Sequence, residues 1–218
     1  MLEKIKNIVT HILDFVLPPR SDFEIVRKLD ENSILSLPRS SRVQDMDWVT
    51  PLFQYKDKRV KAIVWELKYR ENTSPLHTIG KMINDEIINM ISEIVLFNAN
   101  AEFLLIPIPM TDFAKAERGY NQSELLAKSI IENDTQRTLI YAPQWFRKTR
   151  ETEKQSLSNS REERMKNLEN CFEANPSIEG KYAIIIDDVV TTGSTLKEAR
   201  NTLLDAGAID VFAFTIAH

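Results

Sequence analysis

The sequence predicts an α/β fold: an open, mostly parallel sheet flanked by helices, preceded by a helical and irregular N-terminal extension. Three observations predict it. Short apolar runs bounded by breaking residues recur along the chain, at "EFLLIPIP" (102–109), "KYAIIIDD" (181–188) and "VFAFTIA" (211–217). Segments of helical period separate them, and strands alternating with helices build parallel sheets through crossover connections. The 218 residues are 43% hydrophobic and 28% charged, the composition of a globular chain with one sizeable core.

Each element follows from its local pattern. Ile5, Ile8, Val9, Ile12, Leu13 and Val16 recur at helical spacing, so residues 1–17 are expected as an amphipathic helix stopped by Pro18 and Pro19. Docking onto its own core or a partner suits that helix better than a membrane surface. Residues 20–51 are polar, poorly periodic and punctuated by Pro38 and Pro51, so weak order is expected there, with 1–51 as an N-terminal helix and irregular extension and 52–218 as the main domain. Val60, Ile63, Val64 and Leu67 share one helix face, and a second helical run extends from Pro75 to Phe97. The strand at 102–109 is followed by a loop, the helix "NQSELLAKSIIEN", and a shorter strand from Leu139 to Ala142. A charged stretch runs from Arg147 to Asn167. Then come the strand "KYAIIIDD", the helix "LKEARNTLLDAGA" closed by Gly207, and the last strand "VFAFTIA".

Composition excludes several classes of function. A net charge of −4 speaks against a broadly basic surface for duplex DNA, so any nucleic-acid contact must be local. A single cysteine, Cys171, excludes an internal disulfide framework and a cysteine-based zinc site, and is expected as a packing residue of a protein kept in a reducing cytoplasm. No run approaches the length of a membrane span, and residues 1–20 carry charge throughout without a signal-cleavage pattern. His77 and His218 have no partner at metal or triad spacing. Trp48 and Trp65 read as packing anchors, and so do Trp145 and Phe146 of "WFRKTR", the one stretch that mixes aromatic and basic residues as a single-strand platform does.

Chemistry concentrates at "IIIDDVVTTGST" (184–195). Ligands of open α/β sheets collect beyond the carboxyl ends of the strands, which is where Asp187 and Asp188 stand. Backbone N–H groups in a turn entering a helix form a positive concavity, Gly193 permits close approach, and the hydroxyls of Thr191, Thr192, Ser194 and Thr195 add donors. Such a pocket suits a phosphate monoester. Two carboxylates repel phosphate but accept hydrogen bonds from a vicinal diol, so a ribose 5-phosphate satisfies both halves. A helix cap accounts for one Asp and one Thr, but not for the unbroken run. A Walker loop is excluded because no lysine follows the glycine. The site requires aspartates free of ion pairs and amides that share a centre.

These residues resemble the phosphoribosyl pyrophosphate (PRPP) motif of type I phosphoribosyltransferases. Three further segments narrow the resemblance to the ComF/GntX branch, the competence-associated phosphoribosyltransferase-like proteins: "AIVWELKYRENTSP", "LLIPIPMTDFAKAERGYNQSELLA" and "KTRETEKQSLSNSREERMKNLENCF", the last with Thr152, Gln155, Arg164, Asn167 and Phe172 at the spacing of that branch. The resemblance runs from Leu52 to the C-terminus. It implies a type I phosphoribosyltransferase fold, with Asp187 and Asp188 on the ribose hydroxyls and Val189 and Thr191 to Thr195 around the 5-phosphate. Arg118 would neutralise pyrophosphate, and Asp187, Asp188 and Arg118 form the implied catalytic set. Arg147, Lys148, Arg150, Gln155 and Arg164 belong to a stretch with seven Lys or Arg against four Glu, fitted to close over an anionic ligand. Many members carry a four-cysteine zinc ribbon at the N-terminus. Residues 1–50 hold no cysteine, so no zinc is expected here.

The implied reaction displaces pyrophosphate from the anomeric carbon of PRPP, with Mg²⁺ carried mainly by the substrate and touching Asp187 or Asp188 at most. The rival is a binding module that senses PRPP or a nucleotide, or that handles single-stranded DNA with a competence machinery, and transfers nothing.

Overall fold

In the computed structural model, residues 21–150 and 171–218 are described. The helix expected over residues 1–17, and Gln155 and Arg164 of the charged stretch, lie outside the described residues.

The described chain opens with two short helices, α1 (Ser21–Arg27) and α2 (Glu31–Leu35), then β1 (Val49–Phe53), α3 (Lys58–Arg70) and the long α4 (Leu76–Val95). β2 (Phe103–Pro107) leads to α5 (Asp112–Arg118), α6 (Gln122–Asn133) and β3 (Leu139–Tyr141). A ribbon of β4 (Phe146–Lys148) and β5 (Phe172–Ala174) precedes β6 (Tyr182–Val189), α7 (Ser194–Asp205) and β7 (Asp210–Ala217). The main sheet has five strands in the order β1-β7-β6-β2-β3, and every pairing is parallel.

Both faces of this sheet are covered, which is why its central strands are continuous apolar runs rather than alternating ones. On β6, Ile184 and Ile186 pack into one core while Ala183 and Ile185 pack into the other; β2 divides Phe103 and Leu105 from Leu104 and Ile106 in the same way. The first face is closed by α3, α4 and α6 through Val60, Ile63, Val64, Leu67, Ile79, Ile83 and Leu126. The second is closed by Leu196, Ala199 and Leu203 of α7, with Phe146, Cys171 and Phe172 beside them. Burying each of these aliphatic side chains is worth about 1.5–3 kcal/mol.

Where the structure departs from sequence expectation, the cause is visible. Residues 21–50 are not weakly ordered but are built into the fold. Val26, Ile34 and Leu37 are buried in the core of α3 and α4, but helices of seven and five residues are too short to show a period. β1 contains Pro51, which reads as a break, yet β1 is an edge strand and a missing N–H is tolerated there. The expected division at 51/52 falls inside β1. α5 stands where a loop was expected. It is capped by Thr111, whose hydroxyl accepts from Ala114 N at 3.2 Å, and it buries no residue, so it carries no apolar stripe. Arg147 and Lys148 belong to β4, not to a free loop: β4 pairs antiparallel with β5, Phe146 stacks on Phe172 at 4.9 Å, and Arg147 bonds Glu173 at 2.6 Å. Phe146 is fully buried and Trp145 half-buried, both against the core. Cys171 is buried, and burial pushes its thiol above the usual range. Among the described residues no helix is long and apolar enough to cross a membrane.

Candidate functional site

β6 and β2 are neighbours whose connections leave in opposite directions, β6 toward β7 and β2 toward β3. That is a topological switch point, and it opens a crevice at the carboxyl ends of the two strands. Pairing with β2 ends at Pro107 opposite Ile186, while pairing with β7 continues to Val189 opposite Ala217. Asp187 and Asp188 therefore lie where β2 has already turned away.

Asp187 Oδ1 accepts from the Ser123 hydroxyl at 3.0 Å and from Asp188 N at 2.9 Å. Its residue keeps some surface at the crevice mouth, yet protein atoms crowd the carboxyl. Burial first, and the Asp188 charge second, push it up to about 7. Asp188 is 7% exposed. Its Oδ1 accepts from Val189 N at 2.8 Å, and its Oδ2 lies 3.0 Å from Lys68 Nζ on α3. That contact is an ion pair by distance; among the described residues Oδ2 has no hydrogen bond of good geometry. Burial works against the Lys68 ammonium, but the carboxylates of Asp188 and Asp187 outweigh it and hold Lys68 above its usual range. The requirement for aspartates free of ion pairs is thus not met at Asp188, because α3 brings Lys68 to the end of β6.

The bend after β6 is built around Gly193. Gly193 takes φ 72, a left-handed backbone that favours glycine, and a Cβ there would also press on the end of the Met46 side chain. Thr192 and Ser194 hydroxyls lie 2.9 Å apart, and Ser194 N donates weakly to Thr192 Oγ1 at 3.4 Å. Among the described residues, the N–H groups of Thr191, Thr192, Gly193, Thr195 and Leu196 donate to no other group, as expected of a loop entering a helix. With Asp187 and Val189 they line a concavity of about 30 Å³. His218 Nδ1 lies 3.1 Å from Val190 O behind it.

A second layer ties these parts together. Asn121 caps α6 by accepting from Ser123 N at 3.0 Å and donates to Ile108 O at 2.9 Å, joining the end of β2 to the helix that presents Ser123. The Tyr120 hydroxyl donates to Leu67 O and accepts from Glu71 N, both at 2.8 Å, fastening the end of α3 that carries Lys68. Lys68, Tyr120, Asn121, Ser123 and Met46 are the site residues that sequence reasoning missed. The first four lie within "ELKYR" and "RGYNQS", segments that carry the family resemblance, whereas nothing in the sequence marks Met46.

Other expected residues do not converge on the aspartates. Arg118 is exposed at the end of α5, and no hydrogen bond or ion pair joins it to Asp187 or Asp188. Arg147 and Lys148 line a cavity of about 440 Å³ with Pro109, Met110, Lys115 and Glu124, whose lining does not include Asp187 or Asp188. Arg150 lies beyond it at the edge of the described residues.

No group of three or more His, Cys, Asp or Glu suited to a metal occurs among the described residues. Asp187 and Asp188 can supply at most two carboxylates to a divalent cation. That fits a Mg²⁺ carried by substrate oxygens and waters, not a protein cage.

The model of the phosphoribosyl transferase domain family matches residues 90–216. Competence protein ComFC of Bacillus subtilis (strain 168) is 29% identical over 222 residues, 98% of this chain and 80% of that protein. DNA utilization protein YhgH of Escherichia coli (strain K12) is 35% identical over 111 residues, spanning 49% of this chain and 45% of YhgH. Competence protein F of Haemophilus influenzae is 28% identical over 119 residues, 52% of this chain and 49% of that one. The chain belongs to the phosphoribosyl transferase domain family, in its ComF branch. Its parallel sheet flanked by helices is the type I architecture that the resemblance implied.

Proposed function

We propose that this protein binds PRPP, or another ligand containing ribose 5-phosphate, at the end of β6 and transfers the phosphoribosyl group with release of pyrophosphate. One observation carries the reading: an acid pair at the switch point runs into a bend in which the N–H groups of Thr191, Thr192, Gly193 and Thr195 are uncommitted among the described residues. Asp187 and Asp188 would accept the ribose hydroxyls, and residues 191–195 would donate to the 5-phosphate. The bond from the anomeric carbon to the pyrophosphate oxygen breaks, its electron pair leaves with pyrophosphate, and an acceptor's lone pair forms the new bond. Bound Mg²⁺ would neutralise charge on the departing pyrophosphate. The Ser123 hydroxyl holds Asp187 in place for the ribose.

Thermal unfolding with PRPP and Mg²⁺ tests the binding. At 100 times its dissociation constant a ligand adds about 2.7 kcal/mol of stability. The wild-type chain should show that shift and Asp187→Asn/Asp188→Asn should lose it. Absence of any shift with PRPP, ribose 5-phosphate and nucleoside monophosphates ends the proposal. Release of pyrophosphate with an acceptor present tests the transfer.

A second reading has its own support. The names of ComFC and YhgH, similar over 98% and 49% of this chain, favour a role in competence or DNA use in which the site binds PRPP or a nucleotide without turnover, or the protein handles single-stranded DNA. Affinity for single-stranded DNA that falls steeply with salt, with no pyrophosphate released, would decide for it.

A further inference from the structure

We propose that Lys68 is a ligand-binding residue of this site, exchanging its ion pair with Asp188 for the pyrophosphate of PRPP when the ribose diol takes Asp188. The inference rests on the phosphoribosyl reading and adds to it the cation that recognises the pyrophosphate. Without a ligand, the ammonium 3.0 Å from Asp188 Oδ2 compensates a carboxylate that is almost wholly buried. That oxygen has no well-formed hydrogen bond. A sugar hydroxyl can take the place of the ammonium there as a donor to Oδ2, which leaves the lysine free to meet another anion.

The lysine is placed to move. Its side chain is 31% exposed, and its backbone is fixed by the buried Leu67 and by the Tyr120 bonds at the end of α3. A compact charge on a flexible four-carbon stem can swing while its helix stays still. The charges require a cation here. Two adjacent carboxylates repel an incoming pyrophosphate, and among the described residues Lys68 alone of the Lys and Arg side chains forms an ion pair with either aspartate. Arg118, the residue expected in this role, makes no such contact.

The exchange distinguishes two ligands that share a diol and a 5-phosphate. PRPP offers the displaced ammonium a new partner. Ribose 5-phosphate offers none and must compete with it for Asp188. Titration calorimetry of the full chain with each ligand, in Mg²⁺, reads the difference. Lys68→Met should lower PRPP affinity by about tenfold or more and leave ribose 5-phosphate affinity unchanged or higher. Lys68→Arg should restore part of the preference for PRPP. Equal weakening of both ligands would make Lys68 only a structural counter-ion of Asp188 and overturn the inference, as would an unchanged preference. If the wild type binds neither ligand, the phosphoribosyl reading itself fails. A readout on the wild type guards against a misfolded variant: PRPP should protect Lys68 from acetic anhydride, followed by peptide mass spectrometry, and ribose 5-phosphate should not. Equal protection by both, or by neither, also overturns the inference.

Discussion

The Tyr120 hydroxyl donates to Leu67 O at 2.8 Å across 53 residues of sequence. The same oxygen accepts from Glu71 N at 2.8 Å. One side chain thus satisfies two backbone groups at the C-terminal end of α3, a place where helical carbonyls lack intrahelical partners. It also joins the segment leading into α6, which presents Ser123 to Asp187, to the helix that presents Lys68 to Asp188.

Tyr120→Phe removes both bonds and keeps the ring. It should lower stability by about 1–3 kcal/mol, because Leu67 O loses its partner and Glu71 N is left with Glu66 O alone. Urea denaturation reads this as a lower midpoint at unchanged slope. A loss below the error of the measurement would show that water replaces the phenol at both groups.

Gly193→Ala meets two independent penalties. The left-handed backbone costs a side chain about 1–2 kcal/mol, and the new Cβ would press on Met46 Cε and Sδ at 2.4 and 2.5 Å. Met46→Ala in the same chain should relieve the second penalty and leave the first. A double-mutant cycle by thermal unfolding should therefore show positive coupling, and strict additivity would contradict the contact.

Gly80→Ala should destabilise, although alanine improves helix propensity by about 1 kcal/mol over glycine. A Cβ at Gly80 would lie 2.4 Å from Ser129 Oγ and 2.9 Å from the Ser129 backbone carbon, where α4 rests on α6. A hydroxyl that donates to Leu76 O at 2.7 Å and a backbone carbon cannot both retreat. A rise in melting temperature would show the two helices to be less tightly apposed.

Asp187 sets a pH dependence of stability. Its folded value, raised from 3.8 to about 7, means that the folded chain holds a proton the unfolded chain has lost across that interval. The stability linked to this group is fully present below pH 3.8 and declines as pH rises through about 7. Asp187→Asn should flatten that decline. Denaturation midpoints from pH 4 to pH 8 in wild type and variant check it, and parallel curves would place the carboxyl in a more polar setting.

Much of the fold was legible because β2, β6 and β7 are buried on both faces, and strands so buried must be apolar along their length. The acid pair and the bend could be read for the same reason: two carboxylates at the end of such a strand, with a T-T-G-S-T run close behind, break its apolar pattern. β1 and α5 were illegible. The first hides behind Pro51 at a sheet edge, and the second buries nothing, so neither leaves a periodic trace.

The sequence by itself determined the α/β class, the sheet's central strands and the place of the candidate site at Asp187 to Thr195, since burial and local backbone chemistry act on neighbouring residues. Only the tertiary structure decided which groups face those aspartates. Lys68 stands far from Asp188 in the chain, and Ser123 is 64 residues from Asp187, so only the packing of α3 and α6 against the sheet brings a cation and a donor to the two carboxylates. Sequence periodicity reports which face of a helix is buried; it does not report which neighbouring strand that face will meet.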